Sequence, residues 1–224
     1  MGKVKVGFIG VGGIANVHLK NINQNDQAEL VAVCDINDEN ALRVATQYDV
    51  PWYTNADDLL AKEEVDALFL CIPPFAHGDI EEKAAARGIH LMVEKPLGLD
   101  LETVKSKLNT IKDAGIICAS GYCLRYLDTV KISKEYLQDK EIGMVRGHYL
   151  SSFVPTPWYR EMDKSGGQLV EQATHTMDLM RYLAGDIEIV HANMSLQLLK
   201  DIPNIDIPDV TSVNVAFQSG AVGH

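Results

Sequence analysis

Cysteine is scarce in this chain. There are four among 224 residues, at positions 34, 71, 118 and 123, with no Cys-x-x-Cys pair and no metal-ligand spacing. That leaves neither a disulfide framework nor a thiolate metal site, and the expected metal content is none. Cys34 and Cys71 fall inside apolar runs, where a thiol behaves as a small hydrophobe. Positive charge is also short: 20 Lys and Arg stand against 31 Asp and Glu, a net charge of −11. Such a balance argues against nucleic acid or an anionic membrane surface as partner. No long apolar span and no signal-peptide pattern are present, so the expected compartment is the cytoplasm, with no membrane partner.

What remains is an ordinary globular composition, 46% hydrophobic and 23% charged, long enough for one or two domains. The most informative stretch is the first forty residues. Val4–Ile9 has the pattern of a strand and runs into Gly10-Val11-Gly12-Gly13-Ile14-Ala15. A helical segment follows, then a second apolar run, Leu30–Cys34, which ends on Asp35. Strand, glycine turn, helix, strand and terminal acid make a dinucleotide site. Gly10 permits the tight turn, Gly12 lets the backbone approach a pyrophosphate, and Ala15 is the small residue where helix packs on strand. The phosphates would sit on the free N–H groups around Gly13 and Ile14, at the positive end of the helix. Asp35 can accept hydrogen bonds from ribose hydroxyls, worth roughly 1.5–3 kcal/mol. It would repel a 2′-phosphate by about 4 kcal/mol at 4 Å and an effective dielectric of 20. The expected cofactor is therefore NAD rather than NADP. The plainer alternative is that Asp35 caps the next helix.

Strand-like runs recur at Ala67–Ile72, His90–Val93 and Ile116–Ala119, with helical stretches between them. The runs at 67–72 and 116–119 are almost uninterrupted, as in strands buried on both faces. Alternating β and α at this spacing predicts an α/β fold, a doubly wound parallel sheet of Rossmann type over residues 1–122. From about residue 123 the pattern changes to α+β. A helix is expected near Tyr126–Gln138, a half-exposed strand over Met144–Phe153 and a rigid loop at Pro155-Thr156-Pro157-Trp158. A second helix is expected over Leu169–Leu183, and long antiparallel strands over Glu188–Leu198 and Val210–Phe217. The last residues have the pattern of strand, turn and the beginning of a return strand, so residues 123–224 are expected to be a C-terminally incomplete domain.

Three further groups stand in order along the chain: Ile72-Pro73-Pro74-Phe75-Ala76-His77, Glu94-Lys95-Pro96, and Gly166-Gly167 followed by Glu171, His175 and Asp178. Together with the glycine turn they resemble the glucose-fructose oxidoreductase / inositol dehydrogenase family, Gfo/Idh/MocA, over essentially the whole chain. That resemblance implies a Rossmann domain followed by a domain with a large, mostly antiparallel open sheet. The second domain would serve substrate binding and assembly into a homo-oligomer, a dimer or tetramer. It also implies NAD-dependent oxidation of a CH–OH group on a small sugar or polyol. The matching positions put Pro73, His77, Glu94 and Lys95 in the cofactor cleft. Two departures mark a subgroup: Gln168 replaces a third glycine, and Glu171 replaces the family's usual Asp.

The chemistry assigns roles. A hydroxyl must lose a hydride to the nicotinamide and a proton to a base. Lys95, at the end of a central strand and held extended by Pro96, suits stabilisation of the developing alkoxide. A lowered pKa would let it relay a proton as well. His175, which titrates near neutrality, suits the base. On one continuous helix Glu171 lies about 40° from His175, so Glu171 would bind a substrate hydroxyl or orient the imidazole. Spacing alone favours a solvated polar face, and it is the resemblance that turns the reading to function. Asp178 would brace the helix or the histidine. Arg125 is expected either on the substrate or in a structural ion pair. Trp158 and Arg160 would contact substrate or pack, and His18 would be structural. A non-catalytic NAD-binding module or redox sensor is the alternative.

Overall fold

The structure is a computed structural model that describes residues 2–152 and 155–224, so part of the strand expected over 144–153 lies outside the described residues. The chain divides into two units, Met1–Gly121 and Tyr122–His224.

In the first unit, strands and helices alternate: β1 Val4–Ile9, α1 Ala15–Asn23, β2 Ala28–Cys34, α2 Asp38–Tyr48, β3 Trp52–Tyr53 and α3 Ala56–Lys62. They continue as β4 Ala67–Leu70, α4 Ile80–Ala86, β5 His90–Val93, α5 Leu101–Asp113 and β6 Cys118–Ser120. All neighbours pair in parallel, in the order β3-β2-β1-β4-β5-β6. The order reverses between β1 and β4, and ligands of open α/β sheets bind outside the carboxyl ends of the strands at such a point.

Helices cover both faces of the sheet. On one, Phe8 and Val33 pack with Leu19 of α1 and Val44 of α2, and Phe8 stacks on Phe69 with centroids 4.7 Å apart. On the other, Ile9, Leu68 and Leu70 pack with Leu59 of α3, Ala84 of α4 and Ile111 of α5. Each fully buried Leu or Phe contributes about 1.5–3 kcal/mol. Cys34 and Cys71 belong to this packing, and burial pushes both thiols up to about 12, which leaves them unreactive. One expectation fails. The run at 116–119 is not a strand buried on both faces: β6 is the edge of the sheet, and Ile117 is 69% exposed. Local hydrophobicity does not encode a strand's place in the sheet order.

The second unit contains α6 Asp128–Leu137, β7 Met144–Val145, α7 Met162–Ser165, α8 Gly167–Glu171, α9 Thr174–Ala184, β8 Ile187–Ser195, β9 Val210–Phe217 and β10 Val222–Gly223. Its sheet has the order β7-β10-β9-β8, antiparallel except where β10 meets β7. Met180 and Ala184 of α9 pack on Val215 and Phe217 of β9. The expected return strand is present: Phe217 N–H donates to the Ala221 carbonyl across a turn in which Gly220 has φ +88°. The strand expected from Met144 pairs with β10 over Met144 and Val145, and Gly147 N–H donates beyond it to the His224 carbonyl at 3.0 Å.

The expected helix over Leu169–Leu183 is two helices. Gln172 and Ala173 both donate their N–H groups to the Gln168 carbonyl, a wide turn that ends α8, and α9 starts afresh at Thr174. The sequence there carries neither Gly nor Pro, so nothing local announces the break.

Candidate active site

The register of the first sheet sets Cys34, Ile9, Leu70, Val93 and Ser120 level with one another. The next residue on each strand is therefore Asp35, Gly10, Cys71, Glu94 or Gly121, a single row along the carboxyl edge. Backbone hydrogen bonds continue into that row: Gly10 N–H to the Cys34 carbonyl at 2.8 Å, Cys71 to Ile9 at 2.8 Å, and Glu94 to Leu70 at 2.9 Å. Four of these strands, β2, β1, β4 and β5, thus lead to the expected cofactor residues at one edge, with Pro73 and Lys95 just beyond it.

Gly10 has φ +84°, and a Cβ there would stand 2.4 Å from the Cys71 carbonyl oxygen, so only glycine fits. Gly12 and Gly13 are exposed, and a Cβ on either would meet nothing within 4 Å. This is the open cradle a pyrophosphate needs. Ile14 is half exposed and Ala15 fully buried, as the packing role requires. Helices α2, α3 and α5 are capped by the side chains of Asn37, Asn55 and Asp100. Helix α1 has no side-chain cap and no acid in its first turn. Its positive end is left for an anion. The residues present therefore fit a dinucleotide.

Asp35 is half-buried at the end of β2. Its Oδ2 accepts from Val11 N–H at 3.0 Å and its Oδ1 from Asn37 N–H at 2.9 Å. It does not cap α2, because Asn37 does. With about four lone-pair sites, the carboxylate keeps capacity for ribose hydroxyls while its position is fixed by the glycine turn.

Glu94 is 8% exposed. Its Oε1 accepts from His18 Nε2 at 2.8 Å and its Oε2 from Lys95 N–H at 3.1 Å. Burial alone would push this carboxyl up, but those hydrogen bonds outweigh it and hold the pKa below the usual carboxylate range. His18 is thus structural, as expected, and clamps the residue before Lys95. Lys95 itself is half-buried.

His77 is 3% exposed, and its Nδ1 donates to Glu81 Oε1 at 2.6 Å. Glu81 Oε2 takes a second bond, from Lys107 Nζ at 2.6 Å, and Lys107 also donates to the Gly78 carbonyl at 2.7 Å. This buried network ties α4 and α5 to the loop carrying Pro73 and His77. Sequence reasoning singled out neither Glu81 nor Lys107, which lie 26 residues apart with no motif around them.

In the second unit, Gly166 and Gly167 take φ +69° and +77°, the turn that joins α7 to α8. Ser165 Oγ accepts from Gly167 N–H at 2.9 Å and fixes that turn. Glu171 ends α8 and His175 is the second residue of α9, so the break at 172–173 lies between them. Glu171 and His175 therefore do not lie on one continuous helix. The Tyr122 ring meets the His175 ring edge-on with centroids 6.2 Å apart, and its hydroxyl lies 3.3 Å from Thr174 Oγ1. Asp178 is buried. It takes a two-pronged bond from Arg125, at 2.7 Å from Nε and 2.5 Å from Nη2, and the Arg125 guanidinium lies 4.9 Å from the Tyr182 ring centre. Of the two expectations for Arg125, the ion pair is the one this structure contains.

Among the described residues no group of three or more His, Cys, Asp or Glu side chains could hold a metal ion, and no helix is long and apolar enough to cross a membrane.

Comparison with known proteins supplies the rest. Residues 4–122 match the oxidoreductase family with an NAD-binding Rossmann fold, and residues 132–224 match a GFO/IDH/MocA C-terminal domain. The chain is 28% identical over 223 residues to myo-inositol 2-dehydrogenase of Thermotoga maritima, covering 98% of this chain and 67% of that protein. It is 30% identical over 219 residues to inositol 2-dehydrogenase of Rhizobium meliloti, covering 97% and 66%. Its structure superposes with a TM-score of 0.89, at 26% identity, on the WlbA dehydrogenase from Bordetella pertussis in complex with NADH and UDP-GlcNAcA, covering 99% of this chain and 69% of that one. The chain therefore spans about two thirds of the length of the relatives it matches. Both halves of the sequence, each with its own fold and motif residues, agree: the chain belongs to the Gfo/Idh/MocA oxidoreductase family.

Proposed function

We propose that this protein is an NAD-dependent oxidoreductase acting on a hydroxyl carbon of a sugar, polyol or related compound. The observation that carries this reading is the row Asp35, Gly10, Cys71 and Glu94, which sets the glycine turn, the Asp35 carboxylate and the Glu94–Lys95 step along one strand edge at the reversal of strand order. Gly10, Gly12, Gly13 and Ile14 would hold the pyrophosphate, Asp35 the adenosine ribose, and Pro73, His77, Glu94 and Lys95 the nicotinamide end. Asp35 favours NAD over NADP, since no position beside it supplies a cation for a 2′-phosphate: Ile36-Asn37-Asp38 follows. Bound NAD supplies the hydride acceptor. The proton chemistry belongs to the chain. His175, with Tyr122 against its ring, takes the hydroxyl proton. The Lys95 ammonium steadies the oxygen as negative charge develops on it. Glu171 binds a neighbouring hydroxyl of the substrate.

The test is a panel of cyclitols, aldoses and alditols incubated with NAD and followed by NADH absorbance. Steady NADH formation with at least one of them is the expected result. Tight NADH binding with no turnover of any member would instead favour a cofactor-binding module without catalysis.

A further inference from the structure

The second unit contains a pocket of about 80 Å³ lined by Ser151, Ser152, Tyr159, Gln168, Gln172 and an apolar wall that includes Ile207. By the roughly 10–15 Å³ of such volume that one water needs, this is room for several waters or a polar group of comparable size. It has room for a polar substituent of a ring. Tyr159 is 7% exposed, and its buried hydroxyl has no hydrogen-bond partner among the described residues. A polar group left so is costly, and the pocket beside it is where a hydrogen-bonding partner can be accommodated.

The chemistry of the walls narrows the ligand. Two serine hydroxyls, two carboxamides and a phenol offer both donors and acceptors without charge. Two charged groups of opposite sign, Asp209 and Arg160, also line the pocket. Asp209 accepts from the N–H groups of Gln197, Leu198 and Leu199 at 2.7, 2.6 and 2.7 Å. Arg160 Nη2 donates to the Pro155 carbonyl at 2.8 Å. Burial, and then the Glu171 carboxylate, hold the Tyr159 phenol well above its ordinary range. The hydroxyl stays protonated and able to donate, and the same Glu171 charge opposes an anion here.

We infer that this pocket is a subsite for one neutral hydrogen-bonding substituent of the substrate, such as a hydroxymethyl group, with the Tyr159 hydroxyl as its specificity contact. The inference rests on the sugar or polyol reading above and names the part of the molecule recognised.

The experiment compares the full chain with its Tyr159→Phe variant in the presence of NADH. Myo-inositol, D-glucose, D-xylose and inorganic phosphate are titrated by ligand-observed NMR, and the ligand-free unfolding midpoint is recorded. At least one neutral probe should bind about fivefold or more weakly to the variant, while the ligand-free midpoint stays equal or rises because an unpartnered hydroxyl has been removed. The inference is overturned by a lowered midpoint, which marks a structural hydroxyl. Neutral-probe binding that the substitution does not weaken overturns it too, as does phosphate binding that it does weaken. Turnover in the polyol panel reads the proposed function separately. NADH formation with unchanged probe affinities sinks the subsite alone, and weakened probe binding without NADH formation sinks the function alone.

Discussion

Replacing Lys95 by Met should lower turnover at least about a hundredfold while NADH affinity stays within about twofold of the parent. Methionine keeps the length and apolar stem of lysine and removes the ammonium. If that charge stabilises the oxyanion, its loss falls on the transition state and not on cofactor binding. Glu94 still accepts from the Lys95 backbone N–H and from His18 in the variant. Steady-state kinetics with the best substrate of the panel, together with NADH titration, read both halves. Turnover within a factor of about three of the parent would remove Lys95 from the chemistry.

The second large effect lies in stability. Lys107→Met should destabilise the protein by about 3–5 kcal/mol at neutral pH, because it leaves the Glu81 carboxylate buried without its cation. Glu81 is 2% exposed and Lys107 is 7% exposed, so water cannot take the missing role. Burial by itself pushes the Glu81 carboxyl up from its ordinary value of 4.5, yet the bonds from His77 and Lys107 win and lower it. A depressed carboxylate pKa stabilises the fold above the unfolded value and loses that contribution as pH falls through the folded one. The parent should therefore lose stability on acidification below about pH 4.5, and the variant should show a shallower loss over that range. Urea unfolding at several pH values measures both quantities. A cost under about 1 kcal/mol at neutral pH would show that the network does not hold α4 and α5.

Much of the first unit was legible because its signals are local. An apolar run, a glycine turn and a terminal acid each lie within a few residues, and parallel strands buried by helices are read from composition alone. The glycine cradle follows from Gly10, whose positive φ no other residue supplies without strain. What stayed hidden depends on distant partners. Ile116–Ala119 is as apolar as a central strand, and only the pairing order shows that β6 is an edge. The residues from Gly167 to Ala184 carry a continuous helical pattern, so the turn at Gln172–Ala173 that separates Glu171 from His175 is set by packing. The clamp of His18 on Glu94 spans 76 residues, and the Arg125–Asp178 pair spans 53. Tyr159 sits in no motif, and its unpartnered hydroxyl becomes visible only once the walls around it are placed.

Calorimetric titration of the chain with NADH and, separately, with NADPH tests the central claim most directly, namely that the glycine turn and Asp35 form an NAD site. The expected result is one saturable site for NADH, with NADPH weaker by about a thousandfold from charge repulsion at Asp35. No heat of binding with NADH, or NADPH binding as tightly as NADH, would contradict it.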